Sequence, residues 1–320
     1  MQEENLTFVV QGPVSFVSGE NITARCLASI RKSYPKSPII FSTDLGMPLE
    51  DLDFDFLVES DTHASRVIEN DRAGNIMPAN LQITTTLEGL RAVKTNYAVK
   101  IRSDMVVRNK NLLRLLNQRP QRISKEGLTL TDELVIVLNW STIDPRRYLK
   151  ICHHPADQVY AGKTSDLLAI WDVPLYPIEF MRWYENREYP ENARHGDSLV
   201  RYRCEAWIWM NFIADSLKHK LDSSYEINDE ILEESISLMV HNLEVVSMQM
   251  AGVKSLKNEN PSLSSRVKML THLDWILLAR KHHVKANYWR VDFDSFLIYF
   301  TRGIIDRFNA LSFVFPDPKK

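Results

Sequence analysis

The hydrophobic and polar positions at the start of the chain predict alternating strands and helices. Residues 6–13 are an apolar run that ends in a Gly-Pro turn, as a buried strand does. Apolar residues then recur every four positions over 22–34, behind the capping residue Asn21 and before the helix-stopping Pro35, which predicts a helix. Two further apolar runs predict strands over residues 38–43 and 55–60. This order favours right-handed crossovers in a parallel sheet.

The middle of the chain continues the same order of elements. Residues 60–80 are polar and include Gly74 and Pro78, which predicts a long loop, and a second helix with an apolar stripe is expected from Asn80. Further strands are expected over 97–107 and 134–140. The polar, Pro-containing stretch over 151–158 should be a loop at the carboxyl edge of the sheet, where open α/β folds bind ligands.

From about residue 198 the strand signals fade and the pattern becomes helical. Val200, Cys204, Trp207 and Ile208 mark one helix. Asn228 precedes an acidic first turn and opens a second helix that Gly252 should end. Its apolar positions are Ile231, Leu232, Ile236, Met239, Val240, Leu243 and Val246. Residues 258–265, rich in Asn, Ser and Pro, are the best candidate for a linker.

Composition narrows the class of protein. The chain has 320 residues, of which 44% are hydrophobic and 25% charged, so it can bury a sizeable core. A formal net charge of -2 argues against a nucleic-acid partner. The start is acidic and no apolar stretch reaches the length of a membrane span, so we expect a cytoplasmic protein. The three cysteines are widely spaced and are expected to be buried, reduced thiols.

Lys100, Arg102 and Asp104 alternate within the apolar strand over 97–107. Their side chains should therefore share one face of the strand, and cations within an apolar run need anionic partners such as phosphate. The alternative is that Lys100 and Arg102 lie on the solvent face of an edge strand.

Missing motifs exclude the commonest nucleotide-binding classes. The chain has neither the Gly-x-Gly-x-x-Gly dinucleotide loop nor the triphosphate-binding P-loop, and it lacks the Gly-x-Ser-x-Gly elbow of serine hydrolases. A sheet whose fourth strand ends in a carboxylate suits glycosyl transfer from a nucleotide-sugar. The leaving diphosphate then requires neutralisation by a metal ion or by Lys and Arg.

Several short motifs carry a family resemblance through their order and spacing. They are Gln11-Gly-Pro13, Ser42-Thr43, the stretch over 80–90, Lys100-x-Arg102-Ser-Asp104, and His154-Pro-Ala-Asp157 with Gly162. Over about residues 6–210 the chain resembles the WavE family of lipopolysaccharide-synthesis proteins. Two positions depart from the family's pattern: Leu81 replaces a usual Arg, and Asp44 replaces a common aromatic residue.

The resemblance implies a GT-A-like glycosyltransferase with a Rossmann-type, mostly parallel sheet flanked by helices. It implies a nucleotide-sugar-binding and catalytic domain over 1–215 and a helical C-terminal subdomain over 216–320. The expected substrates are a nucleotide-sugar and a lipid-linked or lipid A-core glycan acceptor, in a lipopolysaccharide, lipooligosaccharide or capsule pathway. Mg²⁺ or Mn²⁺ dependence and independence both remain open, because one carboxylate, Asp104, is a poor cage for a divalent cation.

The resemblance also assigns the donor side of the site. Gln11, Gly12 and Pro13 would lie beside the nucleotide, Ser42 and Thr43 at the neighbouring strand end, and Asn80 and Gln82 against the donor. Lys100 and Arg102 would bind the diphosphate, and Asp104 takes the place of the usual metal ligand. Other uses stay open: Asn80 as a helix cap, and Ser42 and Thr43 as turn residues.

Asp157 is the leading candidate for the catalytic base that accepts a proton from the acceptor hydroxyl, and Glu205 is the second. Asp157 is alternatively a turn cap, and Glu205 a solvated helix residue. His154 and Trp207 are assigned to the acceptor side, with Trp209 as another stacking candidate, although core packing is the more common use of tryptophan.

Basic residues outnumber acidic ones over 263–310, with the aromatic residues Trp275, Tyr288, Trp289, Tyr299 and Phe300 between them. This pattern is typical of peripheral binding to an anionic surface, here the inner face of the inner membrane, or of a helical subdomain with solvated cations. Two other classes of function remain, a nucleotidyltransferase and a non-catalytic glycan-assembly protein. The first usually needs a Gly-rich, basic loop, and residues 11–15 contain one Gly and no cation.

Overall fold

A computed structural model of the chain describes residues 1–62, 78–123, 125–147, 149–190, 199–257, 268–284 and 295–302. The predicted α/β class is confirmed, because a seven-stranded, mostly parallel sheet is flanked by helices. The strands are β1 Leu6–Gln11, β2 Phe16–Val17, β3 Glu20–Asn21, β4 Ile39–Asp44, β5 Phe56–Ser60, β6 Tyr97–Arg102, β7 Met105–Val107, β8 Val135–Leu138, β9 Val159–Lys163, β10 Leu243–Val246 and β11 Val253–Ser255.

Helices pack on both faces of the sheet. They are α1 Ile22–Ser33, α2 Ala79–Arg91, α3 Asn111–Asn117, α4 Thr164–Trp171, α5 Cys204–Phe212, α6 Asp229–Asn242, α7 Met248–Ala251, α8 His272–Lys281 and α9 over 295–302. Short 3-10 turns lie at Glu3–Asn5, Ile178–Phe180 and Ala214–Ser216. The predicted cap of α1 is confirmed, since the Asn21 side chain accepts a hydrogen bond from the Ala24 N–H.

The sheet has the order β10-β8-β9-β6-β1-β4-β5. β5, β4, β1 and β6 run parallel, in the 3-2-1-4 order of a doubly wound half-sheet. β9 is antiparallel to both of its neighbours, while β10 runs parallel to β8. The carboxyl ends of β1, β4 and β6 therefore meet the entrance to β9 at one edge of the sheet.

Alternate strand residues supply two cores, one on each face of the sheet. Val9 of β1 packs in one core with α2 and α4, while Phe8 and Val10 pack in the other with α1 and α3. Because both faces are covered, all six residues of β1 are buried, as a central parallel strand requires. Cys26, Cys152 and Cys204 are free and buried, which confirms that prediction.

The prediction that strands end near residue 198 is wrong. The second predicted helix stops at Asn242, and its last apolar positions, Leu243 and Val246, belong to strand β10. Asn242 donates its side-chain amide to the Leu238 and Leu128 carbonyls and accepts from the Leu130 N–H, so it ends the helix and fixes a distant loop. Pairing with β8 then draws the next four residues into the sheet.

The division at residue 215 stays a prediction, but the second unit is not wholly helical, because it supplies β10 and β11. Most of the predicted 60–80 loop and the 258–265 linker lie outside the described residues, as do Tyr288 and Trp289 in the tail. Arg302 of α9 is buried and forms an ion pair with Asp274. No helix within the described ranges has both the length and the apolar character needed to cross a membrane.

Gly89 sets the distance between helix α2 and the sheet. A β-carbon at this position would lie 2.6 Å from Val9 Cγ1 and 2.8 Å from Ser42 Cβ, on two neighbouring strands. Gly89→Ala gains helix propensity but overpacks the core, so we expect the free energy of unfolding to fall by about 1–2 kcal/mol. Urea denaturation would measure it, with Glu88→Ala as the control on the same helix. Unchanged or raised stability of Gly89→Ala would contradict this packing.

Candidate active site

A cavity of about 370 Å³ opens at the carboxyl edge of the sheet. Its lining includes eight of the predicted site residues, namely Gln11, Gly12, Pro13, Gln82, Arg102, Asp104, Asp157 and Glu205. The predicted 151–158 loop reaches this edge because β9 runs antiparallel, and the Arg102 N–H donates to the Gln158 carbonyl at its entrance. The loop prediction is therefore confirmed.

Arg102 joins two carboxylates at the end of β6. Its Nε and Nη2 donate to Asp104 Oδ1 and Oδ2 at 3.1 and 2.7 Å, and its Nη1 lies 3.5 Å from Asp157 Oδ2. The Asp104 and Asp157 side chains are each 6% exposed, whereas that of Arg102 is 37% exposed. The strand ends at Arg102, so Asp104 contacts the guanidinium from the following turn. A bidentate pair of this kind fixes the guanidinium plane.

Lys257 is a cavity residue that the sequence analysis missed. Its Nζ lies 3.6 Å from Asp104 Oδ2. Burial opposes ionisation of Asp104, but the charges of Arg102 and Lys257 outweigh it and lower the pKa of this carboxyl. The sequence signal was the short Val-Lys-Ser run after Gly252, which lies just before the predicted linker. Other lining residues outside the predicted set are Pro78, Ala79, Leu81, Ser103 and Cys204.

Asp157 is held by groups from two other elements. Gln82 of α2 donates from Nε2 to Asp157 Oδ2 at 2.5 Å, and Arg102 approaches the same oxygen. Asp157 Oδ1 accepts no hydrogen bond from the described residues. Gln82 is itself fixed, because the Cys204 thiol donates to its Oε1 at 3.6 Å. The carboxylate is therefore oriented through one oxygen while the other keeps its hydrogen-bonding capacity.

Lys100 is fully buried, so the solvent-face alternative is wrong for this residue. Its Nζ donates to the backbone carbonyl of Asp157 and lies 4.7 Å from the centre of the Trp171 ring. Lys100 does not line the cavity. Burial lowers its pKa to about 8, against the opposing charge of Asp157. Lys100 thus contacts the backbone of the catalytic candidate, and a direct contact with the diphosphate stays a prediction.

His154 and Glu205 adjoin each other, but only Glu205 lines the cavity. His154 Nε2 lies 3.6 Å from Glu205 Oε2, and burial lowers the pKa of His154 although Glu205 opposes this effect. The Glu205 side chain is 23% exposed and lines the cavity from the first turn of α5. A neutral imidazole beside a carboxylate can act as a hydrogen-bond donor, which keeps both residues in the candidate site.

Six of the predicted site residues do not line the cavity, namely Lys100, His154, Ser42, Thr43, Asn80 and Trp207. Ser42 donates to the Thr85 carbonyl at 2.6 Å, and Thr43 is buried beside it in β4. Asn80 exchanges two hydrogen bonds with the backbone of Tyr176, so its alternative role as a helix cap is wrong; Pro78 holds the cap position. Trp207 donates to the Pro174 carbonyl. Its ring packs in an aromatic cluster with Tyr176, Phe180 and Tyr202.

Gly12 is required by both conformation and space. Its φ of +130° is one that side chains rarely adopt, and an added β-carbon would lie 2.8 Å from Ser103 Oγ. Gln11 is anchored at the same turn, since its Nε2 donates to Thr85 Oγ1 at 2.9 Å. A bare backbone therefore lines this part of the cavity and allows close approach of a ligand.

The cavity residues do not fit a Mg²⁺ or Mn²⁺ site built on Asp104. Such ions prefer several oxygen ligands, and both oxygens of Asp104 already accept hydrogen bonds from Arg102. Within the part of the chain that the structure describes, no group of three or more His, Cys, Asp or Glu residues is placed to hold a metal ion. The cations around Asp104 instead suit an anionic ligand.

Comparison with known proteins gives one strong similarity. The family model described as WavE lipopolysaccharide synthesis matches residues 6–309. No curated protein sequence matches the chain.

Solved structures are similar only at a low level. A CMP:2-keto-3-deoxy-manno-octonic acid synthetase in complex with CTP shares 9% identity, with a TM-score of 0.31, over 54% of this chain and 80% of that one. A nucleoside-diphosphate-sugar pyrophosphorylase from Vibrio cholerae RC9 shares 13% identity, with a TM-score of 0.31, over 66% of this chain and 89% of that one. Scores this low do not indicate an activity.

Lys100 should couple stability to alkaline pH. Its pKa of about 8 in the folded protein lies below the value of about 10.4 for an unfolded chain, so between these values the unfolded chain binds more protons and stability rises with pH. From pH 8 to 10, wild type should gain about 2 kcal/mol relative to Lys100→Met. Urea denaturation of both proteins would measure this difference, in which other titrating groups cancel. Parallel pH profiles would contradict a depressed lysine pKa.

Proposed function

The chain belongs to the WavE family of lipopolysaccharide-synthesis proteins, and from this premise we propose that it is a glycosyltransferase. In this proposal it moves a sugar from a nucleotide-sugar to a bacterial lipopolysaccharide, lipooligosaccharide or capsular glycan. The observation that supports it most is the meeting of Arg102 and Asp157 in one cavity at the carboxyl edge of the sheet. A cation for the leaving diphosphate and a base for the attacking hydroxyl are the two groups that the reaction needs.

The donor would lie along the end of β1 and β6. Gly12 leaves room for the nucleotide beside the backbone, and Gln11 and Pro13 flank it. Arg102 would bind the diphosphate and stabilise the charge that develops as the bond to the sugar breaks. Ser42, Thr43 and Asn80 would act indirectly: Ser42 bonds α2 to β4, Asn80 bonds α2 to the Tyr176 backbone, and Thr43 is buried beside Ser42.

The acceptor would approach Asp157 from the side of α5. Asp157 lines the cavity, and an acceptor hydroxyl that reaches its buried Oδ1 would satisfy an oxygen that no described residue satisfies. Gln82 and Arg102 hold the other oxygen and so orient the carboxylate as a base. Glu205 would bind another hydroxyl group of the acceptor from the neighbouring wall, and His154 would act indirectly through its contact with Glu205.

We propose further that the acceptor is lipid-linked and that the enzyme works at the inner face of the inner membrane. The basic excess over 263–310 supports this location. On helix α9, Phe296, Leu297, Tyr299 and Phe300 are exposed, as apolar side chains at a membrane surface would be.

The direct experiment is incubation of the protein with a panel of nucleotide-sugars, followed by measurement of binding and of slow hydrolysis to the nucleoside diphosphate. Binding and hydrolysis of one donor support the proposal. If no donor in the panel is bound or hydrolysed, that result would count against the proposal. Formation of a nucleotide-sugar from a nucleoside triphosphate would indicate a nucleotidyltransferase. If Asp104→Ala with Asp157→Ala leaves cellular glycan length unaltered, the protein is a non-catalytic assembly factor.

Loss of the base should affect turnover without affecting donor binding. Asp157→Asn preserves shape but removes proton acceptance, so kcat should fall by roughly 10²–10⁴-fold while the donor Kd changes little. Steady-state transfer kinetics and donor titration would measure both. Glu205→Gln is the matched control and should retain most of kcat. A modest fall for Asp157→Asn with a lower Tm, and a large fall for Glu205→Gln, would move the base to Glu205.

Loss of the guanidinium should weaken diphosphate binding. We expect Arg102→Ala to cost about 1.5–3 kcal/mol, as for hydrogen bonds to charged groups, which corresponds to roughly 10-fold to 100-fold in Kd. Isothermal titration with the nucleoside diphosphate of the active donor would measure it. Arg91→Ala is the control, because Arg91 forms ion pairs with Glu88 and Asp172 at the far end of α2. Equal affinities of the two variants would remove Arg102 from the donor site.

A further inference from the structure

A short ribbon brings a second cation to the cavity. β11 pairs antiparallel with β7, with Ser255 opposite Met105. One residue further, the Leu256 N–H donates to the Asp104 carbonyl at 2.8 Å. Lys257 is the next residue in the chain. The backbone pairing of β11 with β7, extended by the Leu256–Asp104 hydrogen bond, therefore places the Lys257 backbone beside Asp104. Its place at the cavity is therefore fixed by main-chain pairing.

The turn that starts the ribbon is fixed as well. Gly252 has a φ of +69°, and a β-carbon there would overlap the side chain of Asn109. Its carbonyl accepts a hydrogen bond from the Arg108 N–H at 2.7 Å. Asn109 follows β7 in the chain. Its close approach to Gly252, together with the Arg108–Gly252 hydrogen bond, therefore holds β7 and β11 in register.

Asp104 contacts both Arg102 and Lys257, and the side chains of both cations are partly exposed to solvent. Its side chain is 6% exposed, whereas the side chains of Arg102 and Lys257 are 37% and 42% exposed. These three groups carry one net positive charge, and Asp157 also lies 3.5 Å from Arg102 Nη1. Asp104 engages only some of the N–H donors of Arg102, and Lys257 contacts it at 3.6 Å, so both cations retain donors for an anion.

We propose that Lys257 and Arg102, spaced by Asp104, bind the diphosphate of the donor in place of a divalent metal ion. The inference rests on the proposed transferase function and adds to it a binding residue and a metal-independent donor site. Asp104 then acts as the counter-ion that aligns the two cations. This role agrees with the poor fit of Asp104 to a metal site, since its two oxygens are already engaged by Arg102.

The test uses isothermal titration of the full chain with UDP, GDP, CDP and ADP, in EDTA and again in Mg²⁺. Wild type should bind one of them in EDTA, and Mg²⁺ should change its Kd by less than about threefold. Lys257→Ala should weaken that binding by roughly tenfold or more, and Lys257→Arg should restore most of it. Affinity for the corresponding nucleoside, which lacks the phosphates, should be the same in wild type and Lys257→Ala.

Lys254→Ala is the matched control, since Lys254 lies in β11 but does not line the cavity, and it should bind as wild type does. Binding that requires Mg²⁺, or equal affinities of Lys257→Ala and wild type, would overturn the inference and leave the transferase proposal standing. If wild type binds none of the nucleotides in either buffer, both the proposed function and the inference are overturned.

Discussion

The site depends on a charged amine buried inside the sheet. Removing an ammonium group from water is costly unless it is well bonded, and Lys100 is fully buried in a strand whose other buried residues are apolar. Its hydrogen bond to the Asp157 carbonyl and its position over the Trp171 ring offset that cost. The same hydrogen bond ties the 151–158 loop to β6. Through it the sheet core fixes the backbone of the residue whose carboxylate meets Arg102 and Gln82.

Helix α2 connects the core to the same carboxylate. Gly89 lets the helix lie close to β1 and β4, so that Thr85 reaches both Gln11 and Ser42. At its first turns Gln82 faces Asp157, and Asn80 holds the backbone of Tyr176. Close packing at Gly89 holds one end of the helix in place, and the hydrogen bonds of Asn80 and Gln82 hold the other end. Residues whose side chains do not line the cavity can therefore still determine its shape.

The sequence predicted those parts of the fold and site whose signals are local. Asn21 and Pro35 delimit α1, Arg102 and Asp104 follow from the alternation at the end of a predicted strand, and Asp157 was proposed as a carboxylate in the loop beside His154. β10 could not be predicted because Leu243 and Val246 also continue the apolar stripe of α6, and only pairing with the distant β8 decides between helix and strand. Lys257 was missed for the same reason, since the partner of β11 is a strand far earlier in the chain.

The β7–β11 ribbon joins chain segments that are very far apart in sequence, which has a consequence for dynamics. Few backbone hydrogen bonds hold the ribbon, and short, partly exposed ladders of this kind open locally at a fraction of the global unfolding cost. A ligand that contacts both Arg102 and Lys257 binds only when the ribbon is closed. Because such a ligand stabilises the closed ribbon, it must slow amide exchange along β7 and β11 more than in the seven-stranded sheet. Protection of these amides from exchange therefore shows whether the site is occupied.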